Sequence, residues 1–290
     1  MKNVMKKTGW TVVSLLPVLL ALGIQVGCAM AATVIITMVV TVQEADSGLG
    51  MAELTNLAAG RVMDNMIPIL IVSQLVLLLV FGLWYYFAYG RKKRPEGTPK
   101  PLPLQILLIV ATGIGAQFFI SSILTIIGNL APWMLESYNE LMEQSGIFEG
   151  TALTLLSTVV LAPLSEELVC RGVILRLAGK VSPKFWVANV IQAVSFGILH
   201  GNLVQGIYAF ALGLVLGAVY GRFRNIWLCM LLHGVMNASS LLVEPVYAAL
   251  PGGLEQPSTV VCILLLAVSG ALLALCMKGV FGKNFTEKAE

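Results

Sequence analysis

The sequence predicts an all-α, polytopic membrane protein of about eight transmembrane helices with a polar cavity inside the bundle. Three observations carry this. Of the 290 residues, 58% are apolar and only 11% charged, against about 25% charged in a soluble domain. Mean hydropathy is +0.88. Apolar runs long enough for a helical crossing, about 20 residues each, recur between clusters of charge. No stretch remains for a sizeable soluble domain, which excludes nucleotide-binding folds, zinc ribbons and nucleic-acid readers as the main role. The net charge of +3 is small and gives no reason to expect nucleic acid as a partner.

The first run, 10–42, follows Lys2, Lys6 and Lys7 as a signal peptide would, and Gly27-Cys28 resembles part of a lipoprotein cleavage box. It continues to Val42, too far for a signal h-region, so it reads as a retained span, tilted or kinked at Pro17. The second run is 66–89. A basic, proline-rich connector, 91–103, comes next, with a topological role and some attraction to anionic lipid. The third run is 102–132 and the fourth 150–177. Short polar connections then separate 185–201, 203–221, 225–243 and 258–277. Gly213 and Gly217, in GxxxG spacing, let neighbouring helices approach closely. The chain divides into three N-terminal helices with their loops (1–149), a core (150–245), and a last helix with its tail (246–290).

Placing the N-terminus in the cytoplasm puts sixteen of the 18 basic residues on one side, Arg61 in an outside loop and Arg171 within a span. The opposite loops are acidic, with Glu44, Asp46, Glu53, Asp64, Glu136, Glu140, Glu143, Glu149, Glu244 and Glu255. This positive-inside bias predicts a multi-pass protein of the cell membrane with both termini cytoplasmic. The five cysteines lie in apolar runs, are odd in number and form no CxxC pair, so they read as small buried hydrophobes.

Ionisable residues inside spans are expensive and rare unless they face a cavity or one another. Here Glu166, Glu167 and Arg171 lie in the fourth span, His200 ends the fifth, and His233 lies in the seventh with Asn237 one turn on. Arg171 is four residues after Glu167 and shares its helix face, but is about 140° from Glu166. The expected ion pair is Glu167 with Arg171, which leaves Glu166 free to act as a base. Phe196 and His200 share one face, as do His233 and Asn237. The two glutamates point about 100° apart, so they are not expected both to reach the histidines. Measured from the basic helix ends, Glu166, His200 and His233 lie at depths of about 17, 23 and 12 Å, which match only if helices tilt or a loop is embedded. A carboxylate, two imidazoles and an amide converging from three helices would supply a base for water, polarising donors and an oxyanion donor.

The strings Glu166-Glu167-Leu168-Val169-Cys170-Arg171-Gly172, Phe196-Gly197-Ile198-Leu199-His200 and His233-Gly234-Val235-Met236-Asn237 resemble, in order, the EExxxR, FxxxH and HxxxN motifs of the CAAX-protease and bacteriocin-processing family (CPBP, or Abi) of intramembrane proteases. Cys170 departs from the aromatic residue usual before the arginine. The resemblance spans about 150–245 and implies a membrane-buried endopeptidase. In it Glu166 activates water, His200 orients it, and His233 with Asn237 stabilises the oxyanion, supported by Glu167, Arg171 and Phe196. No cofactor is certain. Zinc is possible, and Glu166, His200 and His233 would then be a His₂Glu ligand set with an open position. The short loops look bacterial, which favours a membrane-associated peptide or protein as substrate. Oligomeric state is left open. The alternative is a non-catalytic immunity or scaffold protein using the same cluster to bind a partner. A proton-linked transporter is less favoured because paired broken helices are absent.

Overall fold

The computed structural model describes residues 2–90, 95–144, 150–250 and 257–282. Arg91, Lys92, Lys93, Arg94, Glu149, Glu255, Lys283 and Lys288, which contribute to the charge pattern, lie outside the described residues. Among those described there is no strand. The helices are α1 (Lys2–Gln43), α2 (Met51–Asp64), α3 (Met66–Gly90), α4 (Pro103–Leu130), α5 (Glu136–Gln144), α6 (Ala152–Ala178), α7 (Phe185–Leu199), α8 (Leu203–Phe223), α9 (Ile226–Ala248) and α10 (Thr259–Phe281). The chain is a polytopic membrane bundle: α1, α3, α4, α6, α8, α9 and α10 are long and apolar enough to cross a bilayer. α7 has 15 residues, about 22 Å against a hydrocarbon core of about 30 Å. The eight predicted spans thus resolve into seven full-length helices and one short one, with α2 and α5 outside the predicted runs.

The helix starts follow ordinary capping chemistry, in which a side-chain oxygen satisfies an orphan N–H of the first turn. Thr151 accepts from Thr154 N at 3.1 Å, Asn202 from Gln205 N at 3.2 Å, and Asn225 from Trp227 N at 3.1 Å. The α7–α8 connection turns at Gly201, whose φ of +66° suits glycine. At the other end of the bundle, Lys180 stands over Trp10, Arg176 over Tyr85, Tyr89 and Tyr220, and Arg224 over Phe185 and Tyr220. Cations stacked on aromatics in this way are typical anchors at a membrane interface.

Two close approaches fix the frame around the core. α4 lies against α9, where a Cβ on Gly113 would meet the Leu232 carbonyl at 2.9 Å. α7 lies against α8, where a Cβ on Gly213 would meet Ala193 Cα at 3.0 Å and one on Gly217 would sit 1.8 Å from Asn189 Oδ1. The GxxxG spacing therefore serves packing within this chain. Asn189 uses the room at Gly217 to donate to the Leu214 carbonyl at 3.0 Å while accepting from Gln192 Nε2 at 2.7 Å. Gly217→Ala should cost about 1 to 3 kcal/mol, the range for overpacking, and should lower the thermal midpoint in detergent. A variant melting with the parent would show that α7 and α8 can separate freely here.

α6 is not uniformly α-helical. It passes through π-helical turns over Leu156–Leu161 and Leu168–Ile174. Such turns are uncommon and concentrate at functional sites. The first has a local cause in Pro163, which has no N–H to offer the Thr158 carbonyl five residues back. The Ala162 N–H goes instead to Ser157.

Candidate active site

Glu167 and Arg171 form the ion pair that their spacing predicts, Nη1 to Oε1 at 2.9 Å, with both side chains fully buried. A buried pair of this kind needs its remaining donors engaged to offset desolvation. Arg171 Nη2 donates to the Gly213 carbonyl at 3.2 Å, and its guanidinium lies 4.8 Å from the centre of the Phe196 ring. Gln192 also donates to Gly213 O, at 2.8 Å. Sequence reasoning missed Gln192 and Asn189. They are uncharged, so a search for ionisable residues within spans passed over them, although two amides inside one apolar helix were the available signal.

His233, buried on α9, meets both glutamates. Its Nδ1 lies 3.1 Å from Glu167 Oε1, and its Nε2 lies 3.8 Å from Glu166 Oε2. The expectation that the two glutamates would not both reach a histidine is corrected. Glu167 serves Arg171 and His233 at once, and a π turn begins immediately after it, at Leu168. Because a carboxylate paired with arginine only accepts, the Glu167 contact requires a proton on Nδ1 and directs Nε2 toward Glu166.

The mismatch in depth also disappears. A Cβ on Gly172 would stand 3.7 Å from Ile226 Cδ1, so α9 starts level with Gly172 rather than with the end of α6 at Ala178. From that level Glu166 is six residues away and His233 seven, about 9 and 10 Å along their helices.

Glu166 is the open member of the cluster, with 23% of its side chain exposed against none for Glu167. His200, at the end of α7, turns Nδ1 to the Phe196 carbonyl at 2.8 Å and stands edge-on to the Phe196 ring, centroids 4.9 Å apart. The same ring stands edge-on to His233 at 5.6 Å. Phe196 is therefore the hub through which Arg171, His200 and His233 are mutually placed. Among the described residues His200 makes no ion pair or hydrogen bond with Glu166. Asn237 joins the cluster differently, donating from Nδ2 to the Thr158 carbonyl at 2.8 Å. That is the carbonyl that Pro163 cannot satisfy, so HxxxN ties α9 to the π turn of α6.

Among the described residues no three His, Cys, Asp or Glu side chains are grouped to hold a metal ion, and whether zinc is required is a question for chelation. His200 Nδ1 is engaged by the Phe196 carbonyl. No step below passes through a metal.

Residues 148–239, which contain every one of these side chains, match the family described as type II CAAX prenyl endopeptidase Rce1-like. This stretch is similar to that family over about a third of the chain. It is also similar to a Bacillus subtilis protein named "Putative membrane peptidase YdiL", 29% identical over 117 residues. The match covers 39% of this chain and 45% of that protein, so it spans less than half of the relative's length. No solved structure matches the chain. The matched stretch takes in α6 through most of α9, and α1, α3 and α4 pack against it.

Proposed function

We propose that the chain is an intramembrane endopeptidase that hydrolyses a peptide bond of a membrane-associated peptide or protein with water activated by Glu166. The observation that carries this reading is His233 held against both glutamates, one paired with arginine and buried, the other open. Glu166 takes a proton from water as the oxygen attacks the scissile carbonyl. It returns that proton to the leaving nitrogen as the C–N bond breaks. With Nδ1–H given to Glu167, His233 in its doubly protonated imidazolium form donates from Nε2 to the developing oxyanion, the type of preorganised donor that contributes most in a water-poor site. An amide nitrogen has two hydrogens, so Asn237 can hold Thr158 with one and face the oxyanion with the other. His200 orients the water, and 150–245 is the catalytic core.

The test is purified protein in detergent with a peptide library, read by mass spectrometry with and without chelator. Cleavage that survives the chelator is expected. Cleavage lost with the chelator and restored by zinc would reinstate a metal mechanism. An active-fold protein that cleaves no peptide would favour a scaffold or immunity role.

The proposal places the protein in the cell membrane with both termini cytoplasmic, as the Lys/Arg bias indicates. In a background lacking the native cysteines, an impermeant thiol reagent on intact cells should label Ser137→Cys, in α5, and spare Thr98→Cys, in the basic connector. Equal labelling would refute the orientation.

A further inference from the structure

α4 packs on α9 and α10, and α8 on α7 and α9, which leaves a cleft of about 380 Å³ between α4, α8 and α10. Its walls include Ala116, Ile120 and Leu124 of α4, Ala211 and Val215 of α8, and Leu273 of α10, and Met134 and Leu135 close the end nearest α5. The hydroxyls of Thr112 and Tyr208 are the polar side-chain groups among the lining residues. Tyr208 stands edge-on to Tyr138 of α5, centroids 6.4 Å apart.

We propose that this cleft binds one acyl chain of a bilayer phospholipid from the α5-side leaflet, with an ammonium-bearing, zwitterionic headgroup. Size suits a small ligand, because about 380 Å³ lies at the low end of the roughly 300–1,000 Å³ of small-molecule pockets. Length selects a leaflet: along α8 the cleft runs from Val204 to Val215, about 16 Å, close to half of the roughly 30 Å hydrocarbon core. Charge selects the headgroup, because α5, which meets the cleft through Tyr138 against Tyr208, carries the exposed Glu136, Glu140 and Glu143, and these repel an anionic lipid and attract an ammonium group. The site stands independently of the peptidase reading, and the chain bound in it would press on Tyr208.

The test uses the full protein in phosphatidylcholine nanodiscs doped with phosphatidylethanolamine carrying a mid-chain diazirine, with crosslinks mapped by mass spectrometry. Label should concentrate on Ile120, Ala211 and Val215 over the lipid-facing controls Leu19 and Leu264. It should fall about tenfold at the cleft in Ala211→Trp, or in Ala116→Phe on the opposite wall should the first variant fold poorly, with the controls unchanged. Three results overturn the proposal. They are cleft label no denser than at the controls, equal capture of a phosphatidylglycerol analogue, and displacement of the label by a 20-residue polyleucine helix, which would assign the cleft to a peptide. Because the readout is crosslinking, it stands or falls whether or not the protein cleaves peptides.

Discussion

Glu166→Gln is expected to lower peptide hydrolysis at least about 10²-fold, the lower range for removing a general base, while leaving the thermal midpoint close to that of the parent. Glu166 carries no arginine, is partly exposed, and faces His233 only at 3.8 Å, longer than a hydrogen bond. An amide of the same shape therefore breaks no contact on which the fold rests. Glu167→Gln should behave in the opposite way. It removes the charge that Arg171 and the His233 Nδ1 proton both use, so stability falls together with activity. The paired measurement is cleavage rate and melting in one detergent. Normal turnover in Glu166→Gln beside a folded, inactive Glu167→Gln would transfer the base to the buried residue.

Arg171→Ala is expected to reduce folded yield sharply. Truncating one member of a fully buried ion pair typically costs about 3 to 5 kcal/mol, a large fraction of the stability of most domains. The loss is not confined to Glu167. The Gly213 carbonyl loses one of its two side-chain donors, and the ring of Phe196 loses the guanidinium above it. Size-exclusion profiles and melting should register this before any assay does. A monodisperse, parent-like Arg171→Ala protein without activity would place the arginine in the chemistry instead of the scaffold.

Much of the architecture is legible because a bilayer imposes a coarse rule. Apolar runs between charged or turn residues mark the helices, and the structure returns α3, α4, α6 and α10 within a few residues of those runs. The Glu167–Arg171 pair is legible for a related reason, since spacing of four depends only on local helix geometry. What could not be read is the contact of Glu167 with His233, sixty-six residues away, because it depends on how deeply α9 starts, and that is set by Gly172 against Ile226. The π turns were also hidden. Pro163 signals a disturbed helix, but only the fold reveals that Asn237 of another helix takes up the carbonyl left over.

The shortness of α7 bears on how the proposed hydrolase would obtain its second reactant. A helix about 8 Å too short for the hydrocarbon core forces the surrounding lipid to dimple or its own end to stay hydrated. That end is His200, half-buried beside the glycine turn. In the proposed peptidase, the missing turn and a half would keep that end hydrated and offer water an approach to the exposed edge of Glu166, while Glu167 and Arg171 are fully buried.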